Sequence, residues 1–127
     1  MVVVVTGVLA LSGCGREFAR QGGGQRRVAH NVYFELHDAT PEACERLVKE
    51  CYTYLAGEKG IVFFAAGPLV DELDREVNVR DWHVGLHVVF ANMAHHDRYQ
   101  DAAAHHTFIE RNKANWKNVR VFDSFVK

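Results

Sequence analysis

Two adjacent histidines, His105 and His106, follow a run of three alanines in the stretch DAAAHHTF (101–108). Neighbouring imidazoles can bind a metal or transfer protons near neutral pH. The same stretch can also begin a helix, in which successive residues point about 100° apart, so that one ring faces the interior and the other solvent. The chain has eight histidines, which raises the questions of metal binding and pH sensitivity without answering them.

The remaining histidines form no pattern typical of a metal site. His83 and His87 share one face of a predicted strand. They lie about 13 Å apart at 3.3 Å per residue, too far for one ion, and are expected to face a partner subunit. His95 and His96 begin a predicted helix and are expected to be solvated. Because no His-x-x-x-His pair lies on a predicted helix, the sequence predicts neither a metal nor another cofactor.

Length and composition indicate a single globular domain behind an N-terminal extension. The 127 residues are 48% apolar and 24% charged, which is ordinary for such a domain. The formal net charge of −1 gives no basic field for binding nucleic acid.

Cys44 and Cys51 lie on one predicted helix, about 10 Å apart along its axis. A disulfide cannot span that distance, so both are predicted to be apolar core residues.

The first 14 residues have the features of a secretory signal. The apolar run Val2–Leu11 carries no charge and is too short to span a bilayer. It leads into Leu11-Ser12-Gly13-Cys14, which resembles the lipobox of bacterial lipoproteins. The resemblance implies lipidation of Cys14 and a lipid anchor on the periplasmic side of the cell envelope. Residues 15–27 contain three consecutive glycines and no apolar stripe, which predicts a flexible tether. The alternative is a β-prone tail, buried or disordered, on a cytoplasmic protein.

The hydrophobic pattern of the remaining residues predicts the order β-α-β-β-α-β. Thr40 and Pro41 are typical of a helix start, and Gly57 of a helix end. The strand at 60–67 is almost wholly apolar, so it is expected to be covered on both faces. The predicted strands are 28–37, 60–67, 82–91 and 117–126, and the predicted helical segments are 41–56 and 92–116, the second broken near the alanines.

This order predicts an α+β, ferredoxin-like fold with the helices on one face of a sheet. In the strand at 82–91, Trp82 and Val84 are expected on the same face. The face away from the helices is also rich in apolar residues, namely Tyr33, Ile61, Phe63, Val89, Phe122 and Val126. Water does not tolerate such a face well, and a second copy of the sheet is the economical cover. The sequence therefore predicts a homodimer.

Four short motifs occur in a fixed order along residues 28–127. They are a histidine opening an alternating strand, a third strand ending in phenylalanine, a helical tyrosine followed by a histidine, and a closing apolar-Asp-apolar strand. The positions are His30–Phe34, Val84–Phe90, Tyr99 with His105 and Phe108, and Val121–Asp123. Together they resemble the stress-responsive A/B barrel (Dabb) family. The resemblance implies a dimeric α+β barrel of eight strands, with a small cavity under the helices of each protomer.

A plant branch of that family cyclises polyketides without cofactors, and its histidines and tyrosine imply roles for residues of this chain. The implied catalytic residues are His30, Tyr99 and His105. The implied ligand cavity is formed by Phe34, Val84, Leu86 and Phe108. The chain departs from the family at Ala102-Ala103, where the motif has His-Pro, and at Val84, where the cyclases have a histidine.

Several functions are compatible with these residues. The preferred hypothesis is a membrane-tethered, homodimeric small-molecule-binding or stress-response protein without assigned catalysis, whose ligand is small and apolar or aromatic. The alternative is a cofactor-free enzyme, cyclase-like or monooxygenase-like, in which His30 and His105 act as base and acid. The same two histidines can instead be a buried structural pair bonded to each other and to the backbone. A metal held by His30, His105 and His106 and a purely structural interaction module are further alternatives.

Overall fold

Four strands and three α-helices follow one another in the computed structural model, which describes residues 26–127. The second helical segment is divided in two near the alanines, as the sequence predicted. The strands are β1 (Arg27–Leu36), β2 (Ile61–Pro68), β3 (Val84–Phe90) and β4 (Trp116–Val126), and the helices are α1 (Pro41–Tyr54), α2 (Met93–Asp101) and α3 (Ala103–Asn112), the last followed by a 3₁₀ turn (Lys113–Asn115).

The strands form one antiparallel sheet in the order β2-β3-β1-β4. The helices pack on one face of this sheet, which confirms the predicted α+β, ferredoxin-like fold. The sequence predicted that β2 is covered on both faces. Within the chain it is an edge strand, and only its helix-facing side is covered. Val62 and Phe63 of β2 are about half exposed.

The core lies between the sheet and α1, because every second residue of β1 and β3 faces the helices. Phe34, Leu86 and Val88 are almost fully buried and pack with Cys51 of α1 and with Leu55, the residue that follows this helix. Burying a side chain of this size contributes about 1.5–3 kcal/mol. Burial raises the pKa of the Cys51 thiol to about 12, so the group stays neutral.

Helix α1 begins where the sequence predicted and ends earlier. The Thr40 hydroxyl accepts a hydrogen bond from the Ala43 amide at 3.2 Å, and Pro41 occupies the first helical position. Regular helix ends at Tyr54, three residues before the glycine expected to stop it. Cys44 and Cys51 are buried free thiols, so the prediction that they are core residues is confirmed.

The break between α2 and α3 falls on Ala102. Its backbone is extended, with φ −64° and ψ 140°, while its amide still bonds to the Tyr99 carbonyl. A residue that precedes proline is restricted to this same extended region. The chain therefore keeps the turn that a His-Pro pair would impose, although alanine stands at both positions.

Two side chains lie on the other face of the sheet from the one predicted. Strand β3 begins only at Val84, so the alternation does not extend back to Trp82, whose ring packs on Tyr33 at 4.8 Å between centroids. A register shift between Ile61 and Phe63 places Ile61 against the core and leaves Phe63 on the sheet face away from the helices.

The sheet face away from the helices, called the open face below, carries large apolar side chains. Phe63 is 55% exposed and Phe122 is 57% exposed. A groove of about 390 Å³ on this face is lined by Tyr33, Val79, Trp82, Arg120 and Phe122. Such a surface is unfavourable in contact with water.

No helix within residues 26–127 is long and apolar enough to cross a membrane. The predicted signal, lipidation site at Cys14 and tether over 15–27 lie outside the described residues, apart from Arg26 and Arg27.

Candidate functional site

His30 and Asp123 are direct partners in the antiparallel pairing of β1 with β4. Both side chains leave the sheet on its helix-facing side, where Nδ1 of His30 and Oδ1 of Asp123 are 2.6 Å apart. The His30 side chain is 6% exposed and the Asp123 side chain 50% exposed. The pairing therefore joins a buried imidazole to a carboxylate that reaches solvent.

Burial lowers the pKa of His30, and the hydrogen bond to Asp123 only partly opposes this effect. The ring is therefore neutral at pH 7. A carboxylate only accepts hydrogen bonds, so the proton of the neutral ring lies on Nδ1 and points at Asp123. The other ring nitrogen, Nε2, then carries a lone pair, which is the form of histidine that acts as a base or a ligand.

His30, Tyr99 and His105 line one cavity of about 170 Å³ under the helices. The structure thus brings together the three residues implied to be catalytic, whose function stays a prediction. Of the predicted cavity residues, Phe34, Leu86 and Phe108 line it, whereas Val84 lies wholly inside the core and outside the lining. The other lining residues are mainly apolar: Val32, Leu55, Gln100, Ile109, Trp116, Val119 and Val121.

His105 presents a buried nitrogen to this region. Its Nδ1 has no hydrogen-bond partner among the residues that the structure describes. Burial, with smaller contributions from His106 and His30, lowers the pKa of His105, so the ring is neutral at pH 7. One alternative from the sequence was a buried pair in which His30 and His105 bond to each other, but Nδ1 of His30 pairs with Asp123 instead. His106 is exposed, as the helical spacing predicted.

Tyr99 connects the two histidines. It is 1% exposed, and its ring lies 6.0 Å from that of His30 and 4.8 Å from that of His105, measured between centroids. Burial raises the pKa of the Tyr99 hydroxyl well above its ordinary value. The group therefore stays protonated and is suited to donating a hydrogen bond.

His96 turns inward, although the sequence predicted a solvated ring. Its side chain is 13% exposed, and its ring centroid lies 5.4 Å from that of His30. Its Nδ1 is 3.0 Å from Oδ1 of Asp97. His30, His96 and Asp123 each place a potential metal-ligand atom within 4.8 Å of the other two. This His–His–Asp cluster differs from the set considered from the sequence.

Sequence reasoning did not assign a role to His96 or Asp123. The available signals were positional: His96 lies three residues before Tyr99, on the same side of α2, and Asp123 is the acidic residue of the closing strand motif. Both residues line a second cavity of about 180 Å³ that borders the cluster, together with Val28, Met93, Ser124 and Phe125.

The other strand histidines have local roles. His83 precedes β3 and accepts a hydrogen bond from the Leu36 amide on Nδ1 at 2.9 Å, so it does not share a strand face with His87 as predicted. His87 pairs with the side chain of Asn31 at 2.9 Å, and burial lowers its pKa. Neither histidine belongs to the cavity or to the His–His–Asp cluster.

A four-stranded antiparallel sheet with helices on one face and a cavity between them defines a ferredoxin-like α+β protein. The family model of the Stress responsive A/B Barrel Domain (Dabb) matches residues 28–126. The chain therefore belongs to the Dabb family. None of the curated proteins compared with the chain matches it.

Solved structures of other proteins share this ferredoxin-like fold. A Dabb family protein from Mesorhizobium loti is 23% identical, with a TM-score of 0.66, and the match covers 81% of this chain and 99% of that one. A dimeric ferredoxin-like protein of unknown function from Thermobifida fusca is 14% identical (TM-score 0.65; 83% and 93% covered). The hydroxynitrile lyase from Passiflora edulis is 8% identical (TM-score 0.66; 81% and 95% covered). At these identities the similarity shows the fold.

Proposed function

We propose that this protein binds a small apolar or aromatic molecule in the cavity lined by His30, Tyr99 and His105. The observation that carries the proposal is a largely apolar cavity of about 170 Å³ that also contains buried polar groups, among them the unpartnered Nδ1 of His105. Buried polar atoms normally have a partner, and a ligand hydroxyl would provide one. Binding sites are typically apolar with a few such polar groups.

The cavity size limits the ligand to about one ring. An engineered apolar protein cavity of about 150 Å³ binds benzene. The cavity volume of about 170 Å³ found here is close to that value. Because Nδ1 of the neutral His105 ring can accept a hydrogen bond and the Tyr99 hydroxyl can donate one, a ring with a single hydroxyl or carbonyl group fits best. Phenol and toluene are therefore matched probes that differ in one polar group.

Calorimetric titration of the full chain with phenol and with toluene tests the proposal. We expect phenol to bind more tightly than toluene. His105→Leu should weaken phenol binding about fivefold, because one hydrogen bond contributes about 1 kcal/mol. It should leave toluene binding nearly unchanged.

The neighbouring variant His106→Leu is the matched control, since His106 is exposed, and it should bind both probes like the wild type. If the wild type binds neither probe, or if His105→Leu binds phenol as tightly as the wild type, the proposal is wrong.

We further propose that the protein is a homodimer that pairs through the open face. Phe63 and Phe122 are more than half exposed there, and the groove beside Tyr33 and Trp82 can accept side chains from a second copy. Similar folds are described as dimeric, including that of the Thermobifida fusca protein. Pairing would remove this apolar surface from water, at a gain of about 25 cal/mol per Å².

The lipid anchor at Cys14 is a separate proposal, which the sequence Leu11-Ser12-Gly13-Cys14 supports. It would hold the domain at the periplasmic face of the cell envelope. Mass spectrometry of the protein extracted from membranes should show an N-terminal Cys14 that carries lipid. An intact Met1 or an unmodified Cys14 would contradict the proposal.

A second candidate function is cofactor-free acid–base catalysis, and the His30–Asp123 pair is the observation that favours it. A neutral histidine held by a carboxylate can take a proton from a carbon acid through its other nitrogen, while the Tyr99 hydroxyl donates to the resulting enolate oxygen. The fold is compatible with catalysis, since the Passiflora edulis protein is a hydroxynitrile lyase.

Exchange of the acidic protons of an aryl ketone in deuterated water, followed by NMR, tests this second function. Catalysis by the wild type and its loss in His30→Gln would support the enzyme. Exchange at the uncatalysed rate in the presence of the wild type would contradict it, while leaving the binding proposal intact.

A further inference from the structure

We propose that His30, His96 and Asp123 form a binding site for one divalent transition-metal ion of the zinc type. The proposal does not depend on the ligand cavity binding a small molecule. It adds a metal to a chain whose sequence pattern predicted none, and it uses a residue set that includes neither His105 nor His106.

The donor atoms of the three residues lie close together. Potential ligand atoms of the three residues all lie within 4.8 Å of one another. Ligand atoms that bind one ion tetrahedrally at about 2.0–2.2 Å lie about 3.3–3.6 Å apart, so side-chain shifts on the order of 1 Å complete the site. The residues come from β1, α2 and β4, which the sheet and its covering helix hold in place.

The orientation of His96 also suits metal binding. Its Nδ1 is hydrogen-bonded to Asp97 at 3.0 Å, which holds the proton on that nitrogen and leaves Nε2 with a lone pair. A metal-binding histidine almost always donates its other N–H to a carboxylate or carbonyl in this way. The Asp97 carboxylate thus supplies the outer partner that such sites use.

The ion would replace the proton that now lies between His30 and Asp123. In the metal-free chain that proton is on Nδ1 of His30 and is shared with Oδ1 of Asp123 over 2.6 Å. On binding, Nδ1 of His30 and the Asp123 carboxylate become ligands, and the His30 proton moves to Nε2. The ring stays neutral, so this exchange neither takes up nor releases a net proton.

The donor types define the class of ion. Two imidazole nitrogens with one carboxylate suit zinc, iron, cobalt or nickel, whereas magnesium and calcium prefer sites made of oxygen atoms. The single carboxylate leaves one positive charge uncompensated, which favours an anionic or water ligand at a further position. The cavity of about 180 Å³ beside His96 and Asp123 provides space for it.

Titration of the metal-free full chain with Co²⁺ and with Zn²⁺ tests the site, with Co²⁺ absorption and calorimetry as readouts. All variants carry Cys14→Ser, which removes a competing thiolate. We expect one ion per chain, and loss of this binding in His96→Gln and in Asp123→Asn. Asp97→Asn removes only the outer partner and should weaken binding about 10–100-fold.

His106→Gln is the matched control and should bind like the parent chain, because His106 is exposed on α3 and outside the cluster. Zn²⁺ should also raise the melting temperature of the parent and not that of His96→Gln, since an ion that binds only the folded state stabilises it. Circular dichroism without metal shows whether each variant is folded.

Asp97→Asn keeps the test valid if His96→Gln and Asp123→Asn do not fold. The Asp97 side chain is 63% exposed, so this substitution should leave the fold intact. The proposal is wrong if the parent binds no ion, if His96→Gln binds as tightly as the parent, or if the loss occurs in His106→Gln instead.

Discussion

Acidification should destabilise the fold through His105. Burial, with His106 and His30 nearby, lowers the pKa of this ring in the folded chain, while an unfolded chain has the ordinary histidine pKa of about 6.5. Below that pH the unfolded state binds more protons than the folded state, so the free energy of unfolding falls as pH falls. The contribution of His105 is complete above the unfolded pKa and is lost as pH drops below it.

The size of the effect follows from the protonation of a free imidazole. Between about pH 7.5 and about pH 5.5, a histidine of pKa about 6.5 gains about 1.4 kcal/mol from protonation. If the folded ring takes up no proton over this range, His105 alone lowers the free energy of unfolding by that amount. Since any protonation of the folded ring reduces the difference, about 1.4 kcal/mol is an upper limit.

Urea unfolding followed by circular dichroism measures this difference in the wild type, His105→Gln and His106→Gln. EDTA and a single protein concentration keep metal binding and association constant. The wild type and His106→Gln should lose more stability on acidification than His105→Gln, by up to about 1.4 kcal/mol. The other histidines contribute to the pH dependence of both the wild type and His105→Gln, so their contributions cancel when the two proteins are compared. If His105→Gln has the same pH dependence as the wild type, the inference that this ring is held neutral is wrong.

Gly60→Ala should lower the free energy of unfolding in urea by at least about 2 kcal/mol, because φ is +92° and the added Cβ would lie 2.0 Å from the His95 ring. The control Gly57→Ala should leave it unchanged, because nothing lies within 4 Å of the added Cβ. Ala103→Pro should raise stability by about 0.4–1 kcal/mol in the same assay, since Ala102 already has the pre-proline conformation, and destabilisation would contradict this. Phe122→Asp should convert the proposed dimer to a folded monomer in sedimentation, and an unchanged mass would count against the open-face interface.

The fold could be predicted from the sequence because its signals are local. Alternation in β1, the cap at Thr40 and the apolar stripe of α1 each act over a few residues, and the structure has all three elements. The errors fall where alternation is interrupted. A register shift in β2 places the Ile61 side chain on the helix-facing side of the sheet instead of the open face. The irregular backbone before β3 places Trp82 on the opposite face from Val84.

The candidate site was only partly predictable, because its contacts join residues far apart in the chain. Resemblance to the family placed His30, Tyr99 and His105 together, and all three line the cavity. The pairing of His30 with Asp123 depends on the register between the first and last strands, a separation of 93 residues. The inward turn of His96 depends on how α2 packs on β1, which local sequence does not encode.

Intermolecular NMR contacts between bound phenol and the isotope-labelled full chain would show where the ligand lies. We expect nuclear Overhauser effects from the phenol ring to Phe108 and Leu86, and perturbation of the His105 ring nitrogens, all of which lie at the cavity. Contacts confined to the open face, or no bound phenol at millimolar concentration, would contradict the assignment of this cavity as a ligand site.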